Sequence, residues 1–134
     1  MEYLRNYDKS FRHLASIPFI YSVVFPIILL DIILEIYHHV CFSLWEIPLV
    51  ERDKYIKVDR HKLEYLDILQ KANCVYCGYA NGFLRYAAAI AGRTEKYWCG
   101  IKHKEDEKFR VPEYQKEFVD YDDAEAFETK YRGE

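Results

Sequence analysis

The longest uncharged stretch, Leu14–Leu30, constrains this 134-residue chain more than any other feature. It holds 17 residues, and its continuation through Asp31 to Leu34 gives 21 residues. As an α-helix these residues would extend over roughly 31 Å, and the hydrocarbon core of a bilayer is about 30 Å thick. A chain of this length could hardly enclose such a helix on every side. The run therefore predicts a membrane-anchoring helix rather than the core helix of a soluble protein.

The residues around this run leave its path through the membrane open. Pro26 lies in its middle and predicts a kink, so the segment can cross the bilayer or enter and leave through one leaflet. No small-residue cleavage site follows the run, which favours an uncleaved anchor over a signal peptide. The preceding residues, Glu2–His13, fit a short amphipathic helix that lies on the membrane or packs against the protein.

The charge distribution suggests a membrane partner and an orientation. Residues 1–103 carry a net charge of +2 and residues 104–134 carry −5, and neither value favours nucleic acid. The aromatic content of 17% suits a membrane interface. More basic residues follow the anchor than precede it, which places the C-terminal part in the cytoplasm, at the cell membrane. The expected partner is membrane lipid, with other membrane proteins or self-association as further options. The residues compared are Arg52, Lys54, Lys57, Arg60 and Lys62 after the anchor, and Arg5, Lys9 and Arg12 before it.

The fold class predicted is mainly α, with an N-terminal membrane anchor helix followed by a small helical Cys/His-rich module. Three parts are expected. Residues 1–50 form the amphipathic N-terminus, the anchoring helix and an interfacial turn. Residues 51–103 form the module, and residues 104–134 an acidic, loosely packed tail.

Capping and breaking residues predict the elements within the module. Tyr55–Val58 is a candidate short strand. Asp59 is expected to cap a helix over Arg60–Ala72, where leucines recur every three residues. A second helix is expected over Ala80–Ala91, with Gly92 as its break.

Three ionisable residues, Asp31, Glu35 and His38, follow the apolar run at spacings i, i+4 and i+7. On a helix they lie within about 60° of one another, so we expect them to face protein, water or a metal ion instead of lipid. Glu35-x-x-His38 is also the spacing with which one helix supplies two ligands to a di-iron site. The alternative is a solvated helix end.

The cysteines and histidines predict a zinc or iron site. The spacing of Cys74 and Cys77 points two sulfurs at one position, and Cys99 with His103 could complete a tetrahedron. Cys41 could replace His103, and an all-cysteine set would suit iron equally well. The set requires a helix break near Gly92. Without that break, Glu95, Cys99 and His103 would share one helix face and serve a second site. The partners expected there are Glu35, His38 and His61.

Two other interpretations of the cysteines remain open. Cys74-x-x-Cys77 at a helix N-terminus would be a redox dithiol, because the helix dipole stabilises a thiolate there. Small buried cysteines without chemistry are the other possibility.

Four segments of the chain resemble a family of small, uncharacterised bacterial proteins associated with membranes. The resemblance covers roughly Asp31–His103. It implies that one pattern includes His38, Cys41, Asp59, His61, Cys74, Cys77, Glu95, Cys99 and His103, and it implies no activity. The segments that carry it are Tyr37–Phe42, Asp59–Leu63, Asn73–Gly82 and Thr94–His103.

Overall fold

A computed structural model describes residues 1–133, apart from the side chain of Tyr7. Within them it is built from helices and contains no strand, only an isolated bridge between Ile101 and Val119. The mainly α prediction is therefore confirmed, whereas the short strand expected at Tyr55–Val58 is not formed. The α-helices are α1 (Ser10–Ser22), α2 (Val24–Leu44), α3 (Ile68–Trp98) and α4 (Ala124–Tyr131). Short 3-10 turns cover Glu2–Arg5, Tyr7–Lys9, Arg52–Lys54, Arg60–Lys62 and Glu113–Gln115.

The apolar run folds as α1 and α2, which are interrupted only at Val23. Pro26 explains this interruption, because it has no N–H to donate to the carbonyl of Ser22, where α1 ends. Together the two helices form a 35-residue segment, Ser10–Leu44, with a mean hydropathy of 2.4 in its most apolar window. Only 11% of that window is buried. Among residues 1–133 there is thus one helix, near the N-terminus, that is long and apolar enough to cross a membrane.

A Schellman motif ends α2. Glu46 adopts the left-handed conformation with φ 56°, and the Ile47 N–H donates to the Phe42 carbonyl at 3.1 Å. The chain then turns back. Residues 45–67, here called the return segment, connect the end of α2 to the start of α3.

Helix α3 begins later and continues further than the sequence suggested. Its N-terminus is fixed by a capping box, in which the Asp67 carboxylate accepts from the Gln70 N–H and the Gln70 side chain accepts from the Asp67 N–H. Asp59, the expected cap, begins only a 3-10 turn. The predicted helices over Arg60–Ala72 and Ala80–Ala91 are therefore wrong in their bounds, because one helix contains residues of both.

Glycines let the return segment approach α3 closely. A Cβ at Gly82 would lie 2.7 Å from the Tyr55 carbonyl oxygen, and a Cβ at Gly78 would lie 3.1 Å from that of Lys57. Side chains at these positions would displace the return segment. The role of Gly82 is therefore to leave room for a neighbouring backbone.

The chain divides into two compact units, Met1–Ala87 (unit 1) and Ala88–Glu134 (unit 2), of which Glu134 lies outside the described residues. The boundary lies inside α3, whereas the sequence suggested boundaries after residues 50 and 103. The buried apolar residues of unit 1 are Ile27, Phe42, Val50, Ala80, Phe83 and Tyr86.

Unit 2 contains the C-terminal part of α3 and the helix α4, which the Asp123 side chain caps. Gly92 does not break α3. It lies against the Tyr114 ring, where a Cβ would come within 3.2 Å. Residues expected in a loosely packed tail, Gln115, Phe118 and Val119, are buried here.

Candidate functional site

A bidentate ion pair in unit 1 holds the return segment against α2. Arg52 donates from Nη1 and Nη2 to the two carboxylate oxygens of Asp31, each at 2.6 Å, and from Nη1 to Glu35 at 3.2 Å. Asp31 and Glu35 lie on the stripe of α2 that faces the protein, as their spacing predicts, and Asp31 is only 9% exposed. Arg52 therefore shares its single positive charge between two acids on a predominantly apolar helix.

Two tyrosines of α3 complete the hydrogen bonds of these acids. The Tyr79 hydroxyl donates to Asp31 at 2.6 Å, and the Tyr86 hydroxyl donates to Glu35 at 2.6 Å. The Arg52 guanidinium also lies 5.4 Å from the centre of the Tyr86 ring. The cluster thus links α2, the return segment and α3 through charge-assisted hydrogen bonds.

His38, which is 1% exposed, uses both ring nitrogens within the protein. The Val50 N–H donates to Nε2 at 2.9 Å, and Nδ1 lies 3.0 Å from the Tyr86 hydroxyl. Because Nε2 accepts, the proton of a neutral His38 is assigned to Nδ1, which donates to Tyr86. A hydrogen-bonded chain therefore runs from Val50 through His38 and Tyr86 to Glu35.

The cluster changes the acidity of its members in a consistent way. The hydrogen bond to Asp31 raises the pKa of Arg52 above its ordinary value. Burial, followed by the hydrogen bond to Asp31, raises the pKa of Tyr79 to about 12. Burial and the hydrogen bond to Glu35 likewise raise the pKa of Tyr86. Arg52 remains cationic and both tyrosines remain protonated hydroxyl donors at neutral pH.

Within residues 1–133, three metal-binding side chains converge at one place. Single ligand atoms of Glu35, His38 and His39 lie within 4.8 Å of one another. His39 Nδ1 lies 2.9 Å from the Glu35 carbonyl oxygen and 3.5 Å from its carboxylate. A carboxylate with two imidazoles is a donor set that suits zinc or iron. To bind an ion, His38 would have to give up one of its two hydrogen bonds.

The other predicted ligands of unit 1 are placed on three elements. Cys41 is half-buried on α2, and Cys74 and Cys77 lie on α3. All are free thiols. His61 is half-buried on a 3-10 turn, and its Nδ1 is buried without a hydrogen-bond partner. The helix N-terminus expected at the Cys pair is at Ile68 instead, so the dipole effect invoked for a dithiol, which acts within the first turn, does not apply.

Among the predicted ligands of unit 2, His103 approaches the carboxylate of Glu95. That carboxylate accepts from the Tyr114 hydroxyl at 2.6 Å and from the Gln115 amide at 2.9 Å, and it lies 3.6 Å from His103 Nε2. The hydrogen bond to Glu95 raises the pKa of Tyr114. Cys99 is an exposed free thiol. A shared site of Cys74, Cys77, Cys99 and His103 required a helix break near Gly92, and α3 has no break there. These four ligands therefore remain a prediction.

Sequence reasoning missed four members of the unit 1 cluster. Arg52 was counted only as one of several basic residues. His39 lies one turn after Glu35, but the i, i+4, i+7 stripe drew attention to His38 alone. Tyr79 and Tyr86 are seven residues apart on α3, a spacing that could have indicated a polar aromatic face turned toward the acids of α2. The four missed residues are Arg52, His39, Tyr79 and Tyr86.

The fold and the site define a helical protein with one long, exposed apolar helix whose protein-facing side carries an acid–arginine–tyrosine–histidine cluster. No protein-family model, curated protein or solved structure matches the chain. The resemblance to bacterial membrane-associated proteins therefore remains a prediction.

Proposed function

We propose that the protein is a membrane-bound metal-binding protein, anchored by α1 and α2, that holds zinc or iron at Glu35, His38 and His39. The observation that carries the membrane part is the exposure of an apolar segment. A helix of hydropathy 2.4 that is only 11% buried has no protein core around it, so lipid is the solvent that suits it.

The exposed side of α2, here called the outer face, is apolar over most of its length. Phe25 is 74% exposed and Ile36 is 63% exposed, values that would favour aggregation in water. The opposite stripe packs on the protein. The outer face comprises Phe25, Ile28, Leu29, Ile32, Ile33, Ile36, Val40 and Leu44.

Basic residues support a cytoplasmic position at the cell membrane. Arg52, Lys54 and Lys57 belong to the return segment, and the side chains of Lys54 and Lys57 are 73% and 81% exposed. Basic residues near a membrane favour the cytoplasmic side and the anionic lipids of that leaflet.

Fractionation of cells that express the full chain tests the membrane part. The chain is expected in the membrane pellet, to resist carbonate and high salt, and to be released only by detergent. Its intact mass should remain 16.2 kDa. Release without detergent, or a mass lowered by removal of the apolar run, would contradict an uncleaved anchor.

The metal part is supported by the convergence of Glu35, His38 and His39. A bound zinc or iron ion would supply Lewis-acid chemistry, and iron would add redox chemistry. Glu35 would contribute a carboxylate oxygen and the two histidines one nitrogen each. Arg52 and Tyr86, which already bind Glu35, would hold that carboxylate in position.

A second candidate is a membrane-bound structural or interaction protein without chemistry. The specific observation that favours it is that both nitrogens of His38 have protein partners. In this case the cluster serves only to join α2, the return segment and α3.

Metal analysis separates these candidates. Protein purified in detergent without chelator is expected to contain stoichiometric zinc or iron, which is lost in His39→Ala. The His39 side chain is 59% exposed, so this variant should keep its fold and its far-UV circular dichroism. His103→Ala is the matched control, because its side chain is 63% exposed in unit 2.

Each other outcome has a definite meaning. Metal lost in Cys74→Ser and His103→Ala but retained in His39→Ala would support the thiolate set and contradict the site at Glu35. Folded protein without metal, both as purified and after dialysis against zinc or ferrous iron, would support the structural candidate.

A further inference from the structure

The position of the return segment indicates the orientation of α1 and α2 relative to the membrane plane. We infer that α1 and α2 lie in the plane of one leaflet, with the outer face of α2 in the acyl-chain boundary and the return segment toward water. This inference rests on the proposed membrane binding and adds to it that the chain does not cross the bilayer.

Charged residues of the return segment lie alongside α2 instead of beyond its end. Arg52 binds Asp31 and Glu35 in the middle of the helix. The carbonyl of Lys57 lies against Gly78, and the next residue of α3, Tyr79, binds Asp31.

Contacts between α3 and the anchoring helices continue to the junction of α1 and α2. The Tyr76 hydroxyl donates to the Ile20 carbonyl at 2.7 Å, and the Tyr21 hydroxyl donates to Asn73. At the other end, the Val50 N–H donates to His38. The first turns of α3, at Asn73 and Tyr76, thus lie beside Ile20, and the return segment must run back from the level of His38 toward that of Ile20.

The path of the return segment is nearly as long as the hydrocarbon core of a bilayer is thick. From Ile20 to His38 is 18 residues, or about 27 Å of helix, which is nearly the full hydrocarbon thickness of about 30 Å. If α2 stood upright, the return segment would pass through hydrocarbon with its charges exposed. Each charge at the bilayer centre costs about 2.5–3.5 kcal/mol even on the mildest scale. The side chains of Glu51, Lys54, Lys57 and Asp59 are all about half exposed or more.

An in-plane position removes this cost. The apolar outer face then contacts acyl chains, and the charged return segment stays at the headgroups or in water, as in interfacial amphipathic helices. The segment from Ser10 to Leu44 contains 35 residues, or about 52 Å of helix, which exceeds the hydrocarbon thickness. A helix that lies along the membrane surface has no such limit on its length.

Lysine labelling of the unaltered full chain tests the inference. Lys9, which precedes α1, and Lys57, which follows α2, are both exposed. A membrane-impermeant amine reagent is applied to intact cells and, separately, to sealed inside-out vesicles from them. Modified peptides are identified by mass spectrometry, and lysed vesicles give the total reactivity of each lysine.

In-plane binding predicts that both lysines are modified in inside-out vesicles, to more than about half of their reactivity after lysis, and that neither is modified in intact cells. Modification of Lys9 and Lys57 from opposite sides, or a Lys57 that is modified from neither side, would overturn the inference and leave the proposed membrane anchoring intact. A chain that carbonate releases from the pellet would overturn both.

Discussion

Removing Arg52 should destabilise unit 1 more than removing any other basic residue of the return segment. Arg52→Met keeps much of the side-chain volume but leaves Asp31 and Glu35 side by side without a cation. Asp31 is 9% exposed, and without Arg52 it would keep the hydrogen bond from the Tyr79 hydroxyl. Its desolvated charge would then be only partly compensated.

The exposure of the three side chains sets the magnitude. Breaking a fully buried ion pair by removing one partner costs about 3–5 kcal/mol. The side chains of Arg52 and Glu35 are 36% and 31% exposed, and that of Asp31 is 12% exposed, so water screens part of the interaction. We therefore expect a loss of about 2 kcal/mol in the free energy of unfolding.

Urea unfolding in mild detergent, followed by far-UV circular dichroism, measures this loss. Lys54→Met is the matched control, because its pair with Glu51 has side chains that are 73% and 64% exposed and should contribute at most about 0.5 kcal/mol. Adding Asp31→Asn to Arg52→Met should recover about 1 kcal/mol, since the uncompensated charge is then gone. An Arg52 variant no less stable than the Lys54 variant would refute the buried ion pair.

Three further predictions concern stability. The folded state raises the pKa of Tyr79 from 10.0 to about 12. The stabilising contribution of Tyr79 is therefore complete below pH 10 and is lost between pH 10 and 12. If the melting temperature of the unaltered chain falls no more over this range than that of Tyr79→Phe, this prediction is contradicted. Gly82→Ala should lower the free energy of unfolding by about 1–2 kcal/mol, although alanine has the better helix propensity. The reason is that the alanine Cβ would come within 2.7 Å of the Tyr55 carbonyl oxygen. A variant that urea titration shows to be stabilised would mean that this contact is absent. Tyr114→Phe should cost about 1 kcal/mol by removing the 2.6 Å hydrogen bond to Glu95, and unchanged thermal unfolding would argue against that bond.

The features predicted well from sequence were those encoded in local patterns. The apolar run and Pro26 were enough to predict a long helix with an interruption. The i, i+4, i+7 spacing of Asp31, Glu35 and His38 placed them on one stripe, and the structure turns that stripe toward the protein. Helical periodicity determines these features without knowledge of the partner.

The features predicted poorly depend on contacts between distant residues. Gly92 was predicted to break a helix, but it lies inside α3, where the Tyr114 ring packs against it. A glycine inside a helix costs only about 1 kcal/mol, which such packing readily offsets. Asp67, the residue that caps α3, forms a capping box with Gln70, whereas the sequence analysis placed the cap at Asp59.

The candidate site shows the same division. The sequence indicated the acids and His38 but not Arg52, which reaches Asp31 only because the chain folds back after α2. The partner of a buried charge cannot be read from helix periodicity when it lies on an irregular segment.

The contact between the outer face of α2 and lipid is the central claim, and photolabelling with an apolar carbene reagent dissolved in the bilayer measures it directly. The full chain is labelled in its native membranes and digested, and the modified residues are found by mass spectrometry. Label is expected at Ile28, Ile32 and Ile36 on the outer face and absent from Ile27 and Phe42, which are 6% and 0% exposed. A chain without label on α2, or with equal label on both stripes, would contradict the account.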